Sequence, residues 1–160
     1  MSNNIFSMSA LSRYSELFQI VGVIGLIASL IFVGLELRQT QKIATANTQQ
    51  ERNYSMVNMF NTFTLNNIDW QSVAFENKTN YQFTKNEIAR RNLYHYSWFV
   101  YENDYFQHSQ GLVSNEVWNA KKKAFEVWYN TCDLRPLYFS RAKYMPLGFR
   151  ELVESFPDKC

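Results

Sequence analysis

Leu17 to Leu35 reads LFQIVGVIGLIASLIFVGL, nineteen residues without a charge whose only strongly polar side chain is Gln19. At about 1.5 Å of rise per residue, a helix of this length nearly matches a hydrocarbon core about 30 Å thick. The stretch therefore predicts one membrane span. Two other readings compete with it. A secretory signal has a basic start, a shorter apolar run and a small-residue cleavage site, whereas here only Arg13 precedes the run and Val33-Gly34-Leu35-Glu36 is a poor site. A buried core helix usually stops earlier and shows polar positions at helical spacing. Gly22, Gly25 and Ser29 fall on one helical face with Ala28 adjoining, which permits close helix approach in lipid.

The remainder of the 160 residues is long enough for one soluble domain with its own core. We place the N-terminal segment and span at 1–37 and the domain at 38–160. Aromatic residues make up 17% of the chain, so their burial is the main source of stability. A net charge of +2 excludes a strongly basic nucleic-acid coat, and no duplex nucleic acid is expected as a partner. From Lys85 to Arg150 there are ten Lys or Arg against six Asp or Glu, a local enrichment that suits an anionic ligand. Cys132 and Cys160 lie in neither a CxxC nor a disulfide-dense pattern, which favours a reducing compartment. Arg38, Lys42 and Arg52 follow the span and Arg13 precedes it. That small bias predicts a cytoplasmic C-terminal domain.

Residues 1 to 8 read as a frayed start and Ser9 as the cap of a helix running into the span. No Pro or Gly interrupts Glu36 to Asn67, so the helix is expected to continue beyond the membrane. Asn67 or Asp69 is placed to cap a short helix ending near Glu76, and Lys78 to Phe83 reads as a loop. Thr84-Lys85-Asn86-Glu87 has the capping-box form, and Gly111 stands where the following helix needs a left-handed C-cap. Ser114 caps a helix over 115–130, and Pro136 and Pro146 suit the first turns of two short terminal helices. No segment alternates as a strand does and no Asn-Gly or Asp-Gly turn occurs. The expected fold is all-α: a transmembrane helix continuing into a small soluble helical bundle.

On a wheel of about 100° per residue, Ile88, Ala89, Leu93, Tyr96, Phe99, Val100 and Phe106 define the expected core face of the helix 88–108. Arg90, Arg91, Tyr94, Trp98, Tyr101 and Tyr105 define the opposite face. Rings stack on bases and guanidinium groups grip phosphate oxygens, so Arg90, Arg91, Tyr94 and Trp98 are candidate ligand-binding residues. The alternative is a helix buried on both sides. Lys121, within the apolar stripe of the next helix, is a further candidate for an anion. Glu102 is expected to be a hydrogen-bonded carboxylate inside the bundle. Two histidines, with no HExxH, do not make a metal site, and the chain lacks a phosphate loop, a nucleophile elbow or a Cys–His signature. No catalytic residue, metal or cofactor is expected.

Gly22 to Gln39, GVIGLIASLIFVGLELRQ, resembles the N-terminal anchor of a broad group of small bacterial membrane proteins. Phe99 to Trp118, FVYENDYFQHSQGLVSNEVW, is similar to that group's Glu-x-x-(aromatic)-x-Gln…Gly-Leu…Trp pattern. Size, single anchor and a basic, ring-rich domain also resemble the small membrane-anchored effector of type III CRISPR defence. That resemblance implies an oligomer, a tetramer by preference, in the bacterial inner membrane, whose domain binds cyclic tetra-adenylate and whose membrane segment impairs the membrane. The competing expectation is a structural membrane adaptor whose basic aromatic face is a protein interface; an enzyme is the third.

Overall fold

A computed structural model describes residues 4–160, with side chains from Tyr14 onward. It is 77% helical, and no strand occurs among the described residues. Six helices follow in order: α1 (Asn4–Leu65), α2 (Trp70–Ala74), α3 (Lys85–Ser109), α4 (Asn115–Tyr129), α5 (Arg135–Ala142) and α6 (Leu147–Glu154). The fold is all-α, as the sequence predicts. Residues 1–3 of the expected frayed start lie outside the described residues. Ser9 is interior to α1 rather than its cap, because the helix already runs from Asn4.

The chain divides into two units between Ala44 and Thr45. In the first, every described side chain from Tyr14 to Ala44 is exposed, Phe18 at 76% and Leu26 at 67% among them. The helix is long and apolar enough to cross a membrane. Gly22 and Gly25 have open space around their Cα atoms.

The second unit comprises the rest of α1 and helices α2 to α6. Local chemistry sets its boundaries. The Asp69 carboxylate accepts from the Ser72 amide at 2.9 Å and starts α2. Thr84 and Glu87 exchange the reciprocal bonds of a capping box at the start of α3. Gly111, with φ of 68°, ends that helix in a conformation that costs glycine nothing. Ser114 caps α4, Pro136 lies in the first turn of α5, and Pro146 immediately precedes α6.

α3 is the central helix. One flank packs against α4, α5 and α6 around Tyr94, Trp98, Phe125, Tyr138 and Phe149, each of which is fully closed to solvent. The other flank meets Phe60 of α1 and Trp70 of α2: the Phe60 ring lies 5.2 Å from Trp70 and 5.6 Å from Phe99. Asn92 fastens three elements together. Its side-chain amide donates to the Ile68 carbonyl at 2.8 Å and to Thr64 Oγ1 at 3.1 Å, while its carbonyl accepts from the Trp70 amide at 2.9 Å.

One expectation needs correction here, and one pairing is not foreseen in the sequence. The face of α3 expected to carry ligand-binding rings is core as well: Tyr94 and Trp98 are fully buried while Leu93 of the expected core face is 49% exposed, so the alternative of a helix buried on both sides is the one the structure shows. A helix covered on both flanks has no single apolar stripe for a wheel to find. Cys132 and Cys160 form a disulfide across 28 positions of sequence. Their spacing carries no signature, and it is the return of the C-terminus over the α4–α5 turn that brings them together.

Candidate functional site

The residues expected to bind an anion all hold carboxylates of the chain itself. Arg91 projects from the first turns of α3 and donates from Nε to Asp69 Oδ1 at 2.8 Å and from Nη2 to Oδ2 at 3.1 Å. This two-pronged geometry is the strong form of a guanidinium–carboxylate contact. The Arg91 guanidinium also lies 4.2 Å from the centre of the Phe83 ring. Asp69 is closed to solvent and also accepts from the Ser72 hydroxyl at 2.6 Å. Burial pushes its carboxyl up, but the bonds from Arg91 and Ser72 outweigh burial and hold it below the usual carboxylate range. Arg91 is therefore needed to keep a buried cap ionised.

Arg90 faces outward and makes a two-pronged pair with Asp133 in the turn before α5, donating from Nη2 to Oδ1 at 3.1 Å and from Nη1 to Oδ2. Both side chains of this pair are more than half exposed, so the contact adds little to stability. Lys121 on α4 meets Asp104 on α3 at 2.9 Å. Arg90 and Arg91 do line one cleft, of 170 Å³, together with Phe83, Glu87, Asp133 and Leu134. Its two cations face two carboxylates, and Asp69 stands behind Arg91. A phosphate entering the cleft must displace Asp133 from Arg90.

Tyr94 and Trp98, the expected stacking residues, are sealed in the core. The Tyr94 hydroxyl donates to the Trp128 carbonyl at 3.1 Å, and burial pushes it up to about 12. The Trp98 ring packs 4.9 Å from Tyr138 and 6.2 Å from Phe149. A base stacking on either would have to empty the core.

A broad groove of 850 Å³ runs along the other flank of α3, lined by Asn47, Gln50, Tyr54, Tyr96 and Val100 among others. Glu51 is the one charged residue in its lining, which offers no cation to an anion. Among the described residues no group of three or more His, Cys, Asp or Glu converges as a metal site would require.

Two buried polar features lie beyond what the sequence reading singled out as sites. Glu102 on α3 accepts from Arg141 Nη2 on α5 at 2.7 Å, and the Arg141 guanidinium sits 3.2 Å from the centre of the Phe99 ring. His95 is fully buried between Phe60, Trp70 and Phe75, with its ring centre 4.6 Å from that of Trp70. Burial, and secondarily the Arg141 charge, push His95 down to about 3, so it is neutral. Glu102 lies inside the bundle as the sequence predicts; its partner, 39 positions away, gave no local signal.

Comparison with protein-family models, curated proteins and solved structures finds no match.

Proposed function

We propose that the protein is a single-span membrane adaptor, with Leu17–Leu35 in the bacterial inner membrane and the helical domain in the cytoplasm, acting through protein contacts. One observation carries this choice over a nucleotide sensor. Arg90, Arg91 and Lys121 are each paired with Asp133, Asp69 and Asp104, while Tyr94 and Trp98 are closed to solvent. Support for the anchor comes from the exposed apolar helix: its side chains are of the kind that gain about 25 cal/mol for each Å² removed from water, and the fold leaves them uncovered. Support for the orientation comes from the three cations that follow the span against one before it.

The cyclic tetra-adenylate effector is the second reading, and the cleft where Arg90 and Arg91 meet beside Phe83 favours it. It requires Asp133 to yield Arg90 to a phosphate in each copy of an oligomer. The two readings part on nucleotide binding, which the adaptor lacks. The anchored, cytoplasmic arrangement is tested by cell fractionation and by C-terminal fusions to a fluorescent protein and to alkaline phosphatase. Carbonate-resistant membrane association with fluorescence and no phosphatase activity is expected. Recovery in the soluble fraction, or an active phosphatase fusion, overturns it.

A further inference from the structure

The last four residues, Pro157 to Cys160, have no regular structure and lie across the α4–α5 turn. Under them sits Arg135, a charged side chain only 7% exposed. Its Nε donates to the Tyr129 carbonyl and its Nη2 to Asn130 Oδ1, each at 2.8 Å, and its guanidinium lies 4.3 Å from the centre of the Tyr129 ring. Its remaining corner, Nη1, donates to Asp158 of the tail at 2.6 Å. Asn130 holds the tail from both sides, donating to the Pro157 carbonyl at 3.1 Å and accepting from the Lys159 amide at 2.8 Å. The tail thus displays, within one chain, how this site takes an extended segment with an aspartate.

The covalent tie that keeps it there, Cys132–Cys160, has both residues exposed. Exposed disulfides are the labile and regulatory ones, and a disulfide in a reducing compartment is typically transient or redox-sensing. Without the tie, the tail keeps the Arg135–Asp158 pair, whose aspartate side is 65% exposed, and a few exposed contacts of Asn130 and Lys159 that are worth little in water.

We propose that the tail is a redox-set strap: the oxidised pair holds the Asp158 carboxylate on Arg135 and closes a docking site for an acidic protein segment, which reduction opens. This rests on the adaptor reading and names its partner chemistry. Closing consumes a small-molecule disulfide. One cysteine thiolate attacks it and expels a thiol, then the second cysteine displaces the other, so two cysteine thiols and one disulfide become one protein disulfide and two thiols.

The test uses full-length wild-type protein in detergent micelles, in which the chain's own Asp158 is the internal competitor for Arg135. Binding of a fluorescein-labelled peptide ESFPDK, the chain's own residues 154–159, is followed by anisotropy with and without a phosphine reductant. Reduced protein should bind at least about tenfold more tightly than oxidised protein, because the tied tail acts at high effective concentration. A peptide with Asn in place of Asp should fail to bind the reduced form. Equal affinity in the two states, or no binding to reduced protein, overturns the strap. Nucleotide binding by the same preparation would instead overturn the adaptor reading and leave the strap result standing.

Discussion

Arg141 on α5 and Glu102 on α3 meet at 2.7 Å with side chains only 4% and 18% exposed, joining two helices through opposite charges in the core. Burial pushes the Glu102 carboxyl up and the Arg141 guanidinium down, so each charge is costly alone and is kept by the other. Glu102→Gln should therefore destabilise the domain by about 3–5 kcal/mol, the cost of stranding a buried charge. Combining it with Arg141→Met should recover most of that loss. Chemical denaturation of the single and double variants checks it, and a double variant as unstable as the single one would show that the pair does not act as a unit.

His95 makes stability depend on pH in a defined direction. Folded, it sits near 3; unfolded, it titrates at about 6.5, so below that value the unfolded chain takes up a proton that the folded one refuses. Its contribution is complete above about pH 6.5 and falls by up to about 1.4 kcal/mol per pH unit on acidification toward 3. Asp69 adds a second loss only at lower pH, because its folded carboxyl lies below the ordinary carboxylate range. Comparing wild type with His95→Leu between pH 6.5 and 4.5 isolates the histidine. The variant should have the shallower slope, and parallel curves would contradict the buried neutral imidazole.

Gly148 marks a close approach rather than a turn. A Cβ there would fall 2.5 Å from the Tyr105 hydroxyl oxygen. That ring is held between Phe149 at 5.4 Å and Trp118 at 6.1 Å and cannot easily swing away. Gly148→Ala should cost about 1–3 kcal/mol by overpacking, and adding Tyr105→Phe, which removes the clashing oxygen, should restore part of it. Thermal melts of the three proteins read this directly.

These sites divide according to what a linear sequence can carry. Thr84, Gly111 and Ser114 are legible, and Asp69 is one of two candidates beside Asn67, because a cap bonds to amides two or three positions away, or needs one backbone conformation at one residue. The partners of Arg91, Arg90 and Arg141 lie 22, 43 and 39 positions away, and only the assembled bundle pairs them. Tyr94 and Trp98 were misplaced for a related reason. With α1 and α2 covering one flank of α3 and α4 to α6 the other, aromatic side chains are buried all round, and the Arg residues beside them in sequence lie near the end of the helix, where the chain reopens to solvent. The Cys132–Cys160 pairing follows from the path of the tail, which no local pattern encodes.

The apolar helix gives a prediction of its own. Leu26 lies at the middle of Leu17–Leu35 and is 67% exposed. Leu26→Arg should impair membrane insertion, because a central charge costs about 2.5–3.5 kcal/mol on the insertion scale. Leu26→Ala should insert normally. Equal membrane recovery of the Arg and Ala variants would contradict a span centred there.

Whether the domain works through protein contacts or senses an anion turns on Arg90 and Arg91. Labelled cyclic tetra-adenylate titrated into full-length protein in detergent micelles, beside an Arg90→Ala/Arg91→Ala double variant, measures this most directly. With Asp133 and Asp69 holding both guanidinium groups and Tyr94 and Trp98 closed in the core, the account predicts no saturable binding to either protein. Saturable, salt-sensitive binding to wild type that the double variant loses would contradict it.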